Sequence, residues 1–200
     1  MKIVRAYKGT IEITRDLYLT LEDVRSKDET RYFLCPVFLE DNENLLATDG
    51  KRLFQYKISQ EEQIVLNENN IEDGYYMPAK IKNKFILIPD ATQGQYPSWR
   101  KVVPDESALV HRMEDVTITG KTDQDSRLYF NIFIYAKSAI NIDYFKVMKN
   151  WNESCNLFTA DVANKAIVFS SNSFKYIVMP MQFDDNMGID PEYIPNLLGI

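Results

Sequence analysis

Histidine, cysteine and glycine are scarce in this sequence. Among 200 residues it has one histidine, two cysteines and seven glycines. Cys35 and Cys155 form no CxxC pair and have no histidine nearby, so no metal site is expected. We interpret both as reduced, small apolar side chains of a cytoplasmic protein. The sequence has no apolar run as long as a membrane-spanning helix, and its N-terminal residues lack the apolar core of a secretory signal.

The short motifs that mark common enzyme classes are also missing. There is no P-loop, no GxGxxG, no GxSxG and no HExxH. The carboxylate pairs Asp41/Glu43 and Asp123/Asp125 lie in polar segments typical of solvated turns, and Asp49 lies in a strand-end turn. We therefore expect a protein that is not an enzyme and needs no cofactor. A metal-dependent nuclease that uses these acidic turns is kept as a third hypothesis.

Positive charge is in deficit, and the deficit is concentrated near the C-terminal end. The net charge is −6, and the segment after Phe183 contributes four of these negative charges and no positive one, through Asp184, Asp185, Asp190 and Glu192. A net negative charge argues against a protein that simply coats nucleic acid, because phosphates attract basic surfaces. It is compatible with a local basic face.

Apolar patterns in the first half predict strands with two short helices. Residues 2–14 are rich in β-branched residues and predict strands with a turn at Gly9. A helix is expected from about Leu21, because Thr20 and Asp23 resemble a capping box. Asp49-Gly50 is a strong turn signal between two strands. Residues 77–89 predict a second helix that begins near Pro78, with Ile81, Phe85 and Ile88 on one stripe.

The second half repeats this order in looser form. Residues 115–120 and 127–136 predict strands, residues 141–151 predict a helix capped by Asn141, and three short strands follow in residues 155–181. Because no regular alternation of strands with long helices appears, we predict an α+β fold with antiparallel sheets. We divide it into compact modules 1–104 and 105–183, followed by an acidic tail, 184–200.

Three segments together resemble one family. "LLATDGKRLFQY" (45–56), "GQYPSWRKVVP" (94–104) and "YIVMPMQF" (176–183) are similar to motifs of the bacterial sliding clamp, the DNA polymerase III β subunit, and they occur in the same order. "INIDYFKVMKNW" (141–152) resembles the last helix of that family. The resemblance covers the later two thirds of a clamp subunit. Residues 105–127 differ, since they read as strand where the family has a helix.

The resemblance implies a DNA-clamp-like fold and a processivity factor that encircles duplex DNA without reading its sequence. Helices of a clamp line the hole, so basic helical side chains would face the DNA. The candidates are Lys80, Lys82, Lys84, Lys146 and Lys149. A clamp of two-domain chains implies a homo-oligomer, a trimer or dimer ring.

The resemblance also implies a hydrophobic cleft for peptides of DNA polymerases or repair factors, which carry a glutamine and apolar anchors. Its residues in this sequence are Thr48, Gly50, Arg52, Leu53, Pro97, Val102, Ile177, Met179, Pro180 and Met181. The alternative is a clamp-derived adaptor or decoy that binds such peptides without forming a ring. In either case the tail is expected either to pack as a strap or to fold back into the cleft.

Overall fold

The computed structural model describes residues 1–118, 140–151, 153–160 and 165–180, together with five positions between 125 and 132. Within these residues, eleven strands form an antiparallel sheet. The strands of the first half are β1 (Ile3–Tyr7), β2 (Thr10–Ile13), β3 (Val37–Glu40), β4 (Asn44–Thr48), β5 (Arg52–Lys57), β6 (Gly74–Ile81) and β7 (Lys84–Pro89). Those of the second half are β8 (His111–Val116), β9 (Cys155–Thr159), β10 (Ile167–Ser170) and β11 (Phe174–Val178).

The sheet continues from the first half of the chain into the second. Its order is β1-β2-β7-β6-β3-β4-β5-β11-β10-β9-β8. The two halves meet where β5 pairs with β11, in a register that places Leu53 opposite Ile177 and Phe54 opposite Tyr176. The α+β class with antiparallel pairing is confirmed. The division into two modules at residue 104 stays a prediction.

Helices cover one face of the sheet. They are α1 (Arg15–Val24), α2 (Gln60–Glu68) and α3 (Phe145–Trp151). Leu17, Leu21 and Val24 of α1 recur at helical spacing and are fully buried, and α1 also packs against α3. The predicted start near Leu21 was wrong, because α1 begins at Arg15 and Thr20 is buried within it instead of capping it.

Helix α2 lies in a polar segment for which the sequence analysis predicted no element. A capping box begins it, in which Ser59 and Glu62 bond to each other's backbone N–H groups. The Glu62 carboxylate is fully buried and also accepts hydrogen bonds from the backbone of Ile3, at 2.7 Å, and from the Tyr56 hydroxyl. Burial alone would raise the pKa of Glu62, but these hydrogen bonds to the ionised form bring it below its usual value. Glu62 thus fastens β1 to α2.

Residues 77–89, predicted as a helix, form the β6–β7 hairpin instead. Its turn places Lys82 at φ +53°, and Met77–Ile81 pair with Lys84–Ile88. Pro78 is tolerated in β6 because the pairing of β6 with β3 stops at Tyr76, so the missing N–H of Pro78 faces no third strand. The spacing of Ile81, Phe85 and Ile88 therefore did not indicate a helical stripe.

In the second half of the chain, the elements predicted near the C-terminal end are found, whereas those predicted in the middle differ from the structure. Strand β8 overlaps the predicted strand 115–120 only at its end. The strand predicted over 127–136 was wrong at the described positions Leu128, Tyr129, Asn131 and Ile132, which are helical. The predicted helix at 141–151 is confirmed, with the Asn141 side chain accepting from the Asp143 N–H at 3.0 Å, and so are the three strands after it.

Trp151 lies at the centre of the core under the helices. It is fully buried, and its ring contacts Phe54 at 5.1 Å, Tyr56 at 5.7 Å and Phe174 at 5.2 Å between centroids. These partners come from both halves of the chain, so one core stabilises both. In the part of the chain that the structure describes, none of the helices has the length and apolar character needed to cross a bilayer.

Candidate functional site

The turn between β4 and β5 begins the candidate site. The Thr48 hydroxyl donates to the Arg52 carbonyl at 2.6 Å, and the Asp49 carboxylate accepts from the backbone N–H groups of Lys51 and Arg52 at 2.8 and 3.0 Å. Gly50 adopts φ +87°, and a side chain there would lie 3.1 Å from the Arg31 guanidinium. The turn therefore needs glycine, and Asp49 acts as a turn residue whose carboxylate is fully engaged.

Arg52 runs from this turn into the protein. Its side chain is 10% exposed, donates to the Asp49 carboxylate at 2.9 Å and to the Asp23 carbonyl, and lies 4.6 Å above the Tyr144 ring. It thus links α1, the β4–β5 turn and the residues before α3. The main role of Arg52 is to hold these elements together, although part of it also lines the cavity described below.

Strand β11 supplies the floor of the site. Ile177 pairs with Leu53, and both are buried in a small apolar cluster with Ala166 and Val168. Beyond the strand, the Met179 N–H donates to the Lys51 carbonyl at 2.9 Å, so the chain stays beside the β4–β5 turn. Pro180 follows and is half-buried, whereas Met181 lies outside the described residues.

The segment 94–104 forms the opposite wall. Tyr96 is buried and stacks on Phe38 at 4.9 Å, with an interplanar angle of 9°. Burial raises the pKa of the Tyr96 hydroxyl, which therefore stays protonated. Trp99–Lys101 form a single 3-10 turn, and the Trp99 indole donates to the Glu40 carboxylate at 3.1 Å. Stacking and this hydrogen bond place the aromatic wall.

These elements enclose an apolar cavity of about 240 Å³. Eight of the ten cleft residues expected from the sequence line it, namely Thr48, Gly50, Arg52, Leu53, Pro97, Val102, Ile177 and Met179. Leu34, Lys51, Tyr96, Ser98 and Trp99 complete the lining. Pro180 does not contribute to it. Val102 is 51% and Met179 44% exposed, which leaves apolar side chains at the open side of the cavity.

A second groove of about 610 Å³ continues from this cavity and shares Val102 and Met179 with it. It runs between the segment 101–110 and the start of β10, and Lys101 and Lys165 lie along it. We call the cavity and this groove together the cleft. Both parts lie on the face of the sheet opposite the helices.

Comparison with solved structures identifies the fold. The chain superposes on the DNA polymerase III β chain of Streptococcus pneumoniae with a TM-score of 0.54 and 13% identity, covering 89% of this chain and 66% of that one. It matches the DNA polymerase sliding clamp of Pseudomonas aeruginosa with a TM-score of 0.50 and 16% identity, covering 89% and 68%. This is the fold of a sliding clamp. The chain spans about two thirds of the length of these clamp structures.

A third clamp-like structure, a putative DNA polymerase III β subunit from Eubacterium rectale, superposes with a TM-score of 0.50 at 9% identity, covering 89% of this chain and 67% of that one. The sequence matches no family model and no curated protein. The likeness is therefore one of fold.

The lysines expected to face DNA lie in different settings. Lys80, Lys82 and Lys84 are exposed on the β6–β7 hairpin, not on a helix as predicted, and Lys84 lies 3.4 Å from the Glu12 carboxylate. Lys146 and Lys149 belong to α3, and the side chain of Lys149 is exposed. Only the last two belong to a helix on the helical face of the sheet.

The other helices of that face carry mostly acidic side chains at their surfaces. Helix α1 has one basic residue, Arg15, and three acidic ones, Asp16, Glu22 and Asp23. Helix α2 has Glu61 and Glu68 at its surface and no basic residue. Among the described residues, no group of histidine, cysteine, aspartate or glutamate side chains is arranged to hold a metal ion. Asp123 lies outside the described residues.

Part of the cavity lining was not predicted from the sequence. Trp99 and Tyr96 lie in the quoted Tyr-Pro segment, and their size and position within that motif were the signal that could have identified them. Leu34 comes from the 3-10 segment Glu29–Leu34, which passes beside the β4–β5 turn. Leu34 carries no local sequence signal, because only the tertiary fold brings it to the cavity.

Proposed function

We propose that this chain is a clamp-like protein that binds short, apolar peptide segments of partner proteins in the cleft. The observation that carries the proposal is the lining of the cavity. Residues from three segments that lie far apart in the sequence converge on one apolar cavity on the open face of the sheet. They belong to the three segments that resemble sliding clamps.

The chemistry of the lining supports a peptide ligand. A cavity of about 240 Å³ is large enough for an apolar anchor side chain, and the adjoining groove offers room for the residues next to it. Exposed Val102 and Met179 would gain by burial under a ligand, and methionine re-packs readily around different ligands. Lys51 adds a polar donor at the rim.

Binding of fluorescently labelled peptides, each with one glutamine and several leucine or phenylalanine residues, tests the proposal. Val102→Lys and Met179→Lys place a charge at exposed lining positions, so the fold is retained while affinity should fall at least about tenfold. Val4→Lys is the matched control, because Val4 is 49% exposed and lies outside the cleft. Equal affinities for all variants, or no binding by the native chain, would refute the proposal.

A ring around DNA is a second candidate, and the ends of the sheet support it. In the sheet formed by the described residues, β1 and β8 each have one neighbouring strand. Strands with a free edge can pair with another copy, and head-to-tail pairing closes rings. Three two-module chains would form a clamp of six modules.

Light scattering and DNA retention test the ring. We expect a closed oligomer at micromolar concentration that stays on nicked circular DNA and slides off after linearisation. A strictly monomeric chain would rule the ring out. The acidic surfaces of α1 and α2 favour the other alternative, a clamp-derived adaptor, because they repel phosphates. An adaptor would bind the peptides and show no retention on circular DNA.

A further inference from the structure

Glu40 connects the sheet to the aromatic wall of the cleft. We propose that Glu40 is a positioning residue, which holds Trp99 and Arg100 and thereby fixes the end of the cavity that receives an apolar anchor. The expected effect on peptide affinity rests on the proposed function. The positioning of Trp99 rests on the geometry of three side chains alone.

The three side chains form one connected unit, which we call the Glu40 clip. One oxygen of the carboxylate accepts from the Trp99 indole N–H at 3.1 Å and from Arg100 at 2.8 Å, and the other accepts from Arg100 at 3.0 Å. The Arg100 guanidinium also lies 4.5 Å from the centre of the Trp99 ring. The indole is therefore fixed at its edge by Glu40 and covered on its face by Arg100.

The clip matters because the wall has few other polar attachments. The other hydrogen bonds around the 3-10 turn are local. The Trp99 N–H donates to the Pro97 carbonyl at 2.6 Å, and the N–H groups of Lys101 and Val102 donate to the carbonyls of Ser98 and Trp99, both at 3.0 Å. A weaker link joins the Tyr75 hydroxyl to the Gly94 carbonyl at 3.4 Å. Among the described residues, Glu40, the last of β3, thus makes the shortest polar contacts between the sheet and this turn.

Trp99 separates two spaces. On one side lies the cavity of about 240 Å³, and on the other a polar hollow of about 400 Å³ that includes Glu40, Asp41 and Asp73. Tyr96, Pro97, Ser98 and Trp99 line both. Without its bonds to Glu40 the Trp99 indole could shift between the two spaces, and the depth of the cavity would then vary. Loss of the clip should therefore weaken binding of a well-fitting anchor.

The two tryptophans of the chain allow a direct test. In the ¹⁵N spectrum of the full chain the indole of Trp99 reports on the clip, and that of Trp151, which is fully buried in the core, serves as an internal reference. Glu40→Ala should shift the Trp99 signal and leave the Trp151 signal in place. Glu43→Ala is the matched control, because it removes an exposed carboxylate in the adjacent loop.

Peptide affinity gives the functional readout. We expect Glu40→Ala to weaken binding about tenfold and Glu43→Ala to leave it unchanged. Glu40→Gln should recover part of the loss, because its amide oxygen can still accept from the indole while the charged pair with Arg100 is gone. Arg100→Ala, combined with Glu40→Ala, should lose little more than Glu40→Ala alone, as expected for residues that act as a unit.

The outcomes separate this inference from the proposed function. An unshifted Trp99 signal in Glu40→Ala would overturn it, and so would a shifted signal with native peptide affinity. If the native chain binds no peptide, the proposed function is wrong and the clip loses its consequence for binding. A shifted Trp99 signal, with weaker binding in Glu40→Ala and partial recovery in Glu40→Gln, supports it.

Discussion

The two faces of the sheet differ in what they contribute. The helical face buries the main core, including Trp151, Leu21 and the Glu62 carboxylate. The open face carries two small apolar clusters, a wall held by the Glu40 clip, and apolar side chains that remain exposed. Stability is therefore concentrated on one face, whereas the proposed peptide-binding cleft lies on the other, so substitutions on the two faces should have separable effects.

The two faces should differ most in how much the free energy of unfolding falls when a large side chain is removed. Trp151→Ala should lower the free energy of unfolding by about 3–5 kcal/mol, because the ring fills the space among three aromatic residues. Met179→Ala on the open face should cost less than about 1 kcal/mol. Urea unfolding of both variants measures this, and similar losses would contradict the division of roles between the faces.

Glu62→Gln should lower the free energy of unfolding by about 2–3 kcal/mol at neutral pH, since it weakens a buried carboxylate that accepts several hydrogen bonds. The pKa of Glu62 is lower in the folded chain than its usual value, so its stabilising contribution is present above that usual value. It is lost as the pH falls through the folded pKa.

Urea unfolding of the native chain and Glu62→Gln across acidic pH tests this. The gap between the two should narrow with acidification, because the native side chain then becomes protonated as well. Glu68→Gln, at an exposed position at the end of the same helix, is the control and should show no such gap. A gap that stays constant down to low pH would contradict the prediction.

A smaller effect is expected on affinity for DNA when the charges of the helical face are changed. Glu61→Lys combined with Glu68→Lys should raise affinity for linear duplex DNA and steepen its salt dependence, by about 0.9 in the logarithmic slope for each phosphate contacted. Binding titrations at several salt concentrations measure it. Glu29→Lys with Glu43→Lys, at exposed positions outside α1, α2 and α3, is the control. An equal gain in both variants would show that the helical face has no special role.

The smallest effect concerns the thiols. Burial raises the pKa of the Cys155 thiol to about 12, whereas Cys35 is partly exposed. A thiol reagent should therefore label Cys35 in the native chain and reach Cys155 only after unfolding. Mass spectrometry after timed labelling tests this, with Cys35→Ser as the control. Rapid labelling of Cys155 would mean that the core around β9 opens readily.

The sequence predicted best where a local rule and the tertiary fold agree. The Asp49-Gly50 turn was predictable because it needs a positive φ, which glycine adopts without strain, and the Asn141 cap because its side chain bonds to the next turn. The cleft positions rested on resemblance. The structure brings eight of them to one cavity, while the peptide-binding role stays a prediction.

Prediction from the sequence failed where an apolar pattern was compatible with both a helix and a strand. Ile81, Phe85 and Ile88 fit a helical stripe, but the turn at Lys82 and the strand pairing of β6 with β7 decide otherwise. Leu128 and Ile132 lie in a β-branched and aromatic stretch that favours strand, yet their spacing of four residues suits the helix found there. Helix α2 is too polar for periodicity to reveal, and only its Ser59–Glu62 capping box indicates it.

The seam between β5 and β11 has a mechanical consequence. Five consecutive pairs join the two halves, from Arg52 with Val178 to Tyr56 with Phe174, and the cleft lies at the Arg52 end of this seam, where Leu53 and Ile177 line it. A binding site between two bodies usually adapts by hinge closure, but a continuous sheet leaves no hinge at this position. Under the proposed function, ligands would therefore be distinguished by the side chains of the cleft and by the segment 94–110. Substitution of a few of these side chains should change selectivity while the paired backbone beneath keeps its position.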